Sequence, residues 1–194
     1  MTEPTILVAG LGRCGSSLVM QMLAAAGVPT VGVYPAFEDA MTLRLPALDA
    51  QREFYAAAKG RAVKLLDPHL HAPPIGLEYR TIFLSRHPAE QAKSMLKLLG
   101  TRNDRAARRA MEHSVRQDTG RARQAVARIG DGRFLNLSFE NIIHDPLGAA
   151  IAIAAHIRRS PAEWISVDAM VRCVRRRPPT CLPYMLELEL IHHG

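Results

Sequence analysis

Apolar positions along the chain alternate between two periods. Thr5 to Gly10 (TILVAG) is a continuous apolar run closed by glycine, the pattern of a strand buried on both faces of a parallel sheet. From Ser16 the spacing becomes helical: Leu18, Val19, Met22, Leu23 and Ala26 recur on one face, and Gly27 stands where a C-cap belongs. Continuing this reading predicts a second strand over Val28–Val33, a helix over Leu45–Lys59 closed by Gly60, and a third strand over Arg61–Leu66. A fourth strand over Arg80–Ser85 leads into a helix over Pro88–Leu99, with proline at an early helical position. A long polar helix, Asn103–Ile129, then precedes a fifth strand over Arg133–Ser138 and helices over Pro146–Ile157 and Pro161–Arg175. The stretch from Pro178 to Gly194 opens irregularly with Pro178, Pro179 and Pro183.

Strands alternating with helices predict an α/β fold in which a central, mainly parallel sheet is covered on both faces. In such folds ligands lie beyond the carboxyl ends of the strands, so functional residues are expected just after each strand. At 194 residues the chain suits one domain over 1–194. With 48% apolar and 22% charged residues it has the composition of a soluble globular protein, neither disordered nor fibrous. No apolar run approaches the roughly 20 residues that span a bilayer, and Met1 to Thr5 lack the basic region of a signal peptide. A cytoplasmic location is therefore expected, with no membrane partner. Cys14, Cys173 and Cys181 are odd in number and lack paired-ligand spacing, against both a disulfide framework and a zinc ribbon.

A formal charge of +7 points to an anionic partner. Arginines crowd between Arg102 and Arg133, but Asp104, Glu112, Asp118 and Asp131 interrupt them, and aromatic residues are only 5% of the chain. That stretch reads as a solvated helix face rather than a nucleic-acid groove, so nucleic acid is not the expected partner.

The anion site is sought instead in the loop Gly10-Leu11-Gly12-Arg13-Cys14-Gly15-Ser16-Ser17 between the first strand and helix. It fits three patterns. As G-x-G-x-x-G it matches a dinucleotide fingerprint, but the acidic residue expected at the end of the next strand is missing, since Glu38 and Asp39 follow Pro35. As G-x-x-x-x-G it matches a nucleotide-hydrolase loop, but Ser16 stands where lysine should follow Gly15. In the third pattern Arg13 is the loop's cation and Ser16 and Ser17 open the helix, whose unsatisfied first-turn amides and dipole favour an anion. Cys14 stands at a helix start, where thiols are often activated. A cysteine phosphatase loop would want arginine six residues later, and that residue is Met20, so Cys14 reads as a small filler.

Two further segments extend the third pattern. Arg86-His87-Pro88 follows the fourth predicted strand, with Ser94 eight residues after Arg86, and Ser138 to Pro146 (SFENIIHDP) follows the fifth. With the loop Gly12 to Ser17, these segments resemble the sulfotransferase family in order and spacing over residues 5 to 147. The resemblance implies a three-layer sandwich of the P-loop nucleoside triphosphate hydrolase type. It also implies transfer of a sulfuryl group from 3′-phosphoadenosine 5′-phosphosulfate (PAPS) to a hydroxyl or amine, without a metal. Residue by residue, it implies that Gly12, Arg13, Cys14, Gly15, Ser16 and Ser17 form the 5′-phosphosulfate loop, and that Arg86 and Ser94 hold the 3′-phosphate. The segment from Glu140 to Pro146 resembles one that is mainly structural. The chain departs from many cytosolic members at Leu18, where an aromatic would pack on adenine, and lacks their glycine-rich C-terminal segment with its lysine; Arg175, Arg176 and Arg177 read as a solvated helix end.

Two positions compete for the catalytic base. Glu38 follows the second predicted strand, where some carbohydrate and tyrosine sulfotransferases place a glutamate. His69 and His71 follow Lys64 and the third strand, where the cytosolic branch places a histidine, but the position two residues after Lys64 is Leu66. Glu38 stands slightly ahead of His69, and Lys64 is either a donor contact or a strand cap. The alternatives are a nucleotide or small-molecule kinase, which would need magnesium, and a polyanion-binding module. The acceptor is expected to be a small molecule or glycan, in a site that is open or completed by a partner subunit, as in a homodimer.

Overall fold

Residues 3–44, 47–129, 133–158 and 164–174 are described by a computed structural model of the chain. The predicted helix start at Pro161, Arg175 to Arg177, Cys181 and the final stretch from Pro178 lie outside the described residues.

Four parallel strands form one sheet, in the order β2 (Ala62–Leu66), β1 (Thr5–Gly10), β3 (Tyr79–Ser85) and β4 (Phe134–Ser138). β1 is buried at every position, because alternate side chains feed two different cores. Ile6 and Val8, with Ile82 and Leu84 of β3, pack against α1 (Ser16–Ala25), α7 (Pro146–Ile157) and α8 (Val167–Cys173). Leu7 and Ala9, with Val63, Leu65 and Phe83, pack against α3 (Leu48–Ala57), α4 (Pro88–Leu98) and α5 (Arg105–Ile129). Helices thus cover both faces, the three-layer arrangement expected. Each large aliphatic side chain so buried contributes about 1.5–3 kcal/mol.

The long arginine-rich helix α5 joins this core by a narrow stripe, Val115, Ala122, Val126 and Ile129, and its arginines face outward on the rest of its surface. That geometry explains how so polar a segment forms a 25-residue helix in a folded chain.

The predicted strand over Val28–Val33 does not form. Only Thr30 pairs with the sheet, opposite Ala62, through Ala62 N–H to Pro29 O at 2.7 Å and Val31 N–H to Ala62 O at 2.8 Å. Gly32, at φ 81°, then turns the chain away. Two short helices escaped the periodicity reading, and both begin at side-chain caps. In α2 (Ala40–Leu43) Asp39 accepts from Met41 N–H at 2.8 Å, and in α6 (Phe139–His144) Ser138 accepts from Asn141 N–H at 3.1 Å.

Candidate functional site

The register aligns the carboxyl ends of all four strands: Gly10 lies opposite Leu66 and Leu84, and Ser85 opposite Ser138. The chain leaves β1 for one side of the sheet and β3 for the other, so the crevice between their ends is the topological switch point at which such sheets bind ligands. The loops after β1 and β3 meet there. Gln91 Nε2 of α4 donates to Gly12 O at 2.7 Å, Arg86 Nη1 to Arg13 O at 3.3 Å, and Arg13 Nε to Ser94 Oγ at 3.0 Å. Residues 81 positions apart in the chain, Arg13 and Ser94, therefore share a hydrogen bond.

Within the loop the left-handed conformation falls on Arg13 (φ 66°) and Gly15 (φ 100°), and not on Gly12. A non-glycine residue held there costs about 1–2 kcal/mol, a strain concentrated at the residue whose guanidinium faces the crevice. Gly15 is required for a second reason. A Cβ built on it would lie 2.5 Å from Cδ2 of Phe139, the first residue after β4. The same ring carries the Arg86 guanidinium 4.7 Å from its centroid. Phe139 thus backs both the β1 loop and Arg86, while His87 N–H donates to Glu140 Oε1 at 2.8 Å and ties the β3 and β4 ends together. A Cβ on Gly12, by contrast, would meet nothing within 4 Å.

The crevice holds charges of both signs: the guanidiniums of Arg13 and Arg86, and the carboxylate of Asp67, which accepts from Gly12 N–H at 3.4 Å. Burial lowers the pKa of Arg13, and the neighbouring Arg86 charge lowers it further, against a smaller opposing pull from Glu38. Burial also lowers that of Arg86, while Glu140 and Glu90 raise it. Cys14 is fully buried, and burial pushes its thiol up to about 11, against weaker opposing effects of Ser16 and Lys64. At neutral pH it is a protonated filler whose backbone N–H bonds Leu11 O at 3.3 Å.

Glu38 is drawn to the loop by Lys64 of β2, whose Nζ lies 2.9 Å from Glu38 Oε1 and 3.0 Å from Ser17 Oγ. His69 is placed differently: its Nε2 lies 3.9 Å from Asp118 Oδ1 on α5. His71 lies in the same turn, its N–H bonded to Asp67 O. The structure therefore brings together Gly12, Arg13, Gly15, Ser17, Glu38, Arg86 and Ser94, and sets His69 against α5. Ser16 is buried at the start of α1. Among the described residues no group of three or more His, Cys, Asp or Glu is placed to hold a metal, and no helix is long and apolar enough to cross a membrane.

Comparison with solved structures decides the fold. Retinol dehydratase in complex with androsterone and the inactive cofactor PAP superposes with a TM-score of 0.52 at 18% identity, over 89% of this chain and 64% of that one. The sulfotransferase domain of the Synechococcus olefin synthase gives 0.53 at 16% identity, over 99% and 94%. A Mycobacterium tuberculosis sulfotransferase gives 0.54 at 13% identity, over 98% and 76%. This chain has the sulfotransferase fold. It spans less than two thirds of retinol dehydratase. No protein-family model matches it, and neither does any curated protein. Within the sulfotransferase fold, sequence reasoning missed Phe139 and Gln91 as parts of the site. Phe139 immediately follows a strand, where functional residues are expected, and Gln91 precedes Ser94 by one helical turn on the face that meets the loop.

Proposed function

We propose that this chain is a PAPS-dependent sulfotransferase acting on a hydroxyl or amine of a small-molecule or glycan acceptor. The observation that carries this reading is the convergence of Arg13, Arg86 and Ser94 at the switch point. Two guanidiniums in a partly desolvated crevice repel each other, and an anion between them relieves that repulsion. Loop amides at the start of α1 add donors, and the open side of Gly12 admits close approach. These residues fit a phosphate-bearing donor.

In the proposed arrangement the loop from Gly12 to Ser17, with the Arg13 side chain, holds the 5′-phosphosulfate, and Arg86 and Ser94 the 3′-phosphate. The donor supplies the sulfuryl group: a new S–O or S–N bond forms to the acceptor, and the S–O bond to the 5′-phosphate breaks with its electron pair leaving on that phosphate. Arg13 neutralises the charge that gathers there. Glu38 takes the acceptor proton, and the tether of Glu38 to Ser17 through Lys64 favours it over His69. The site is open or completed by a partner subunit, as in a homodimer. A cytoplasmic setting accords with the free thiols of Cys14 and Cys173.

Calorimetric titration with adenosine 3′,5′-bisphosphate (PAP), with and without magnesium, tests the reading. Binding independent of magnesium is expected, weakened about ten-fold or more in Arg86→Ala by loss of a charge-assisted bond worth about 1.5–3 kcal/mol. Absence of binding, or equal binding by Arg86→Ala, refutes it. Binding that requires magnesium favours a kinase, and steeply salt-dependent binding of polyanions alone favours a polyanion module.

A further inference from the structure

Lys64 is only 5% exposed and lies in the middle of β2, on the face that meets α1. A buried ammonium needs a partner for each of its three N–H groups. Lys64 has three: Ser17 Oγ at 3.0 Å, Ala36 O at 2.9 Å and Glu38 Oε1 at 2.9 Å. Each belongs to a different functional piece. Ser17 lies in the first turn of α1 behind the donor loop, Ala36 holds the segment between Pro35 and Phe37, and Glu38 is the carboxylate at that segment's end. The segment is fixed from below as well, because Gln21 Nε2 donates to Pro35 O at 3.2 Å and Phe37 is buried. Glu38 itself is 45% exposed, so its carboxylate is anchored yet accessible.

We infer that Lys64 is a positioning residue for sulfuryl transfer, fixing the Glu38 carboxylate relative to the donor loop through the shared bond to Ser17. This rests on the sulfotransferase reading of the site. With its three hydrogens committed to protein oxygens, Lys64 acts through Glu38 and does not grip the donor. Its effect therefore belongs in turnover and depends on the presence of Glu38.

The test is a double-mutant cycle of the full chain, Lys64→Met, Glu38→Gln and the pair, with Lys64→Arg as the conservative variant. Turnover is read with water as acceptor, since the acceptor is unidentified: PAPS and water give PAP, sulfate and two protons, one passing first to Glu38 and the other lost to solvent from hydrogen sulfate. PAP affinity is read by calorimetry and folding by thermal melting. Lys64→Met is expected to lower kcat about ten-fold or more while leaving the PAP Kd within about three-fold. In the Glu38→Gln background the same change is expected to alter kcat less than about two-fold, and Lys64→Arg to recover part of the loss. Equal kcat in wild type and Lys64→Met, full additivity with Glu38→Gln, or a PAP Kd that weakens in step with kcat would overturn the inference alone. Wild-type protein that binds PAP but releases no sulfate also overturns it, because a base fixed beside the donor serves water. Wild-type protein that does not bind PAP overturns the sulfotransferase reading as well.

Discussion

Substituting alanine at the two loop glycines separates what the fold needs from what a ligand needs. At Gly15 a methyl group meets two penalties. The residue sits at φ 100°, and the new Cβ would lie 2.5 Å from Phe139 Cδ2. The left-handed backbone costs an L residue about 1–2 kcal/mol. Moving the Phe139 ring forfeits its contact with the Arg86 guanidinium, now 4.7 Å from the centroid; such a contact contributes about 0.5–2 kcal/mol. Together these give about 1.5–4 kcal/mol, which for a chain of this size lowers Tm by about 3–16 °C. At Gly12 the same methyl meets no protein atom within 4 Å and no left-handed backbone. Gly12→Ala is expected to stay within about 0.5 kcal/mol of wild type, yet to weaken PAP binding about ten-fold by blocking close approach to the loop. Thermal melting and calorimetry of both variants read the two effects independently. A Gly15→Ala protein melting within about 2 °C of wild type, or a Gly12→Ala protein destabilised equally, would refute the reasoning.

Replacing Phe139 by leucine keeps an apolar filler and removes the ring beneath Arg86; PAP affinity measured by calorimetry is expected to fall about three- to ten-fold. Cys14 in the native protein is expected to resist a thiol-disulfide reagent at pH 8 and to react once denaturant unfolds the chain. Its pKa is raised from 9.0 to about 11 by folding, so the stability tied to its protonated form is fully present below pH 9 and is lost as pH rises through 11. Cys14→Ala should flatten that limb of the urea-midpoint profile. Tyr55 and Tyr79, also raised by burial, act in the same direction above pH 10 and remain in the variant. Of the two candidate bases, Glu38→Gln is expected to lower PAPS turnover about 100-fold and His69→Gln less than about three-fold, assayed as sulfate release.

Much of the fold was legible because local pattern and tertiary role coincide. β1 and the centre of β3 are apolar runs that a doubly covered parallel sheet buries, and the boundaries of all four strands agree with the sequence reading to within one residue. Val28–Val33 misled because an apolar, β-branched run is equally suited to lying beside a sheet. Gly32 and the backbone bonds around Thr30 decide that it touches at one point. Helices α2 and α6, with 4 and 6 residues, are too short to show a period, and their only local mark is the capping residue.

The sequence by itself marked out the glycine-rich loop, its arginine Arg13 and the second pair Arg86 and Ser94 as candidates, because glycines, arginine and helix-opening serines after a strand leave a local signature. Tertiary structure alone decided how these pieces meet. The register of four parallel strands brings Gly10, Leu66, Leu84 and Leu137 to one level, so that Arg13 reaches Ser94, and Phe139 backs both Gly15 and Arg86. It likewise set Glu38 against Lys64, which also bonds Ser17, and His69 against Asp118 of α5. Lys64, which could equally cap a strand or grip a donor, has its ammonium oriented by burial against α1, a long-range constraint that no spacing along the chain encodes.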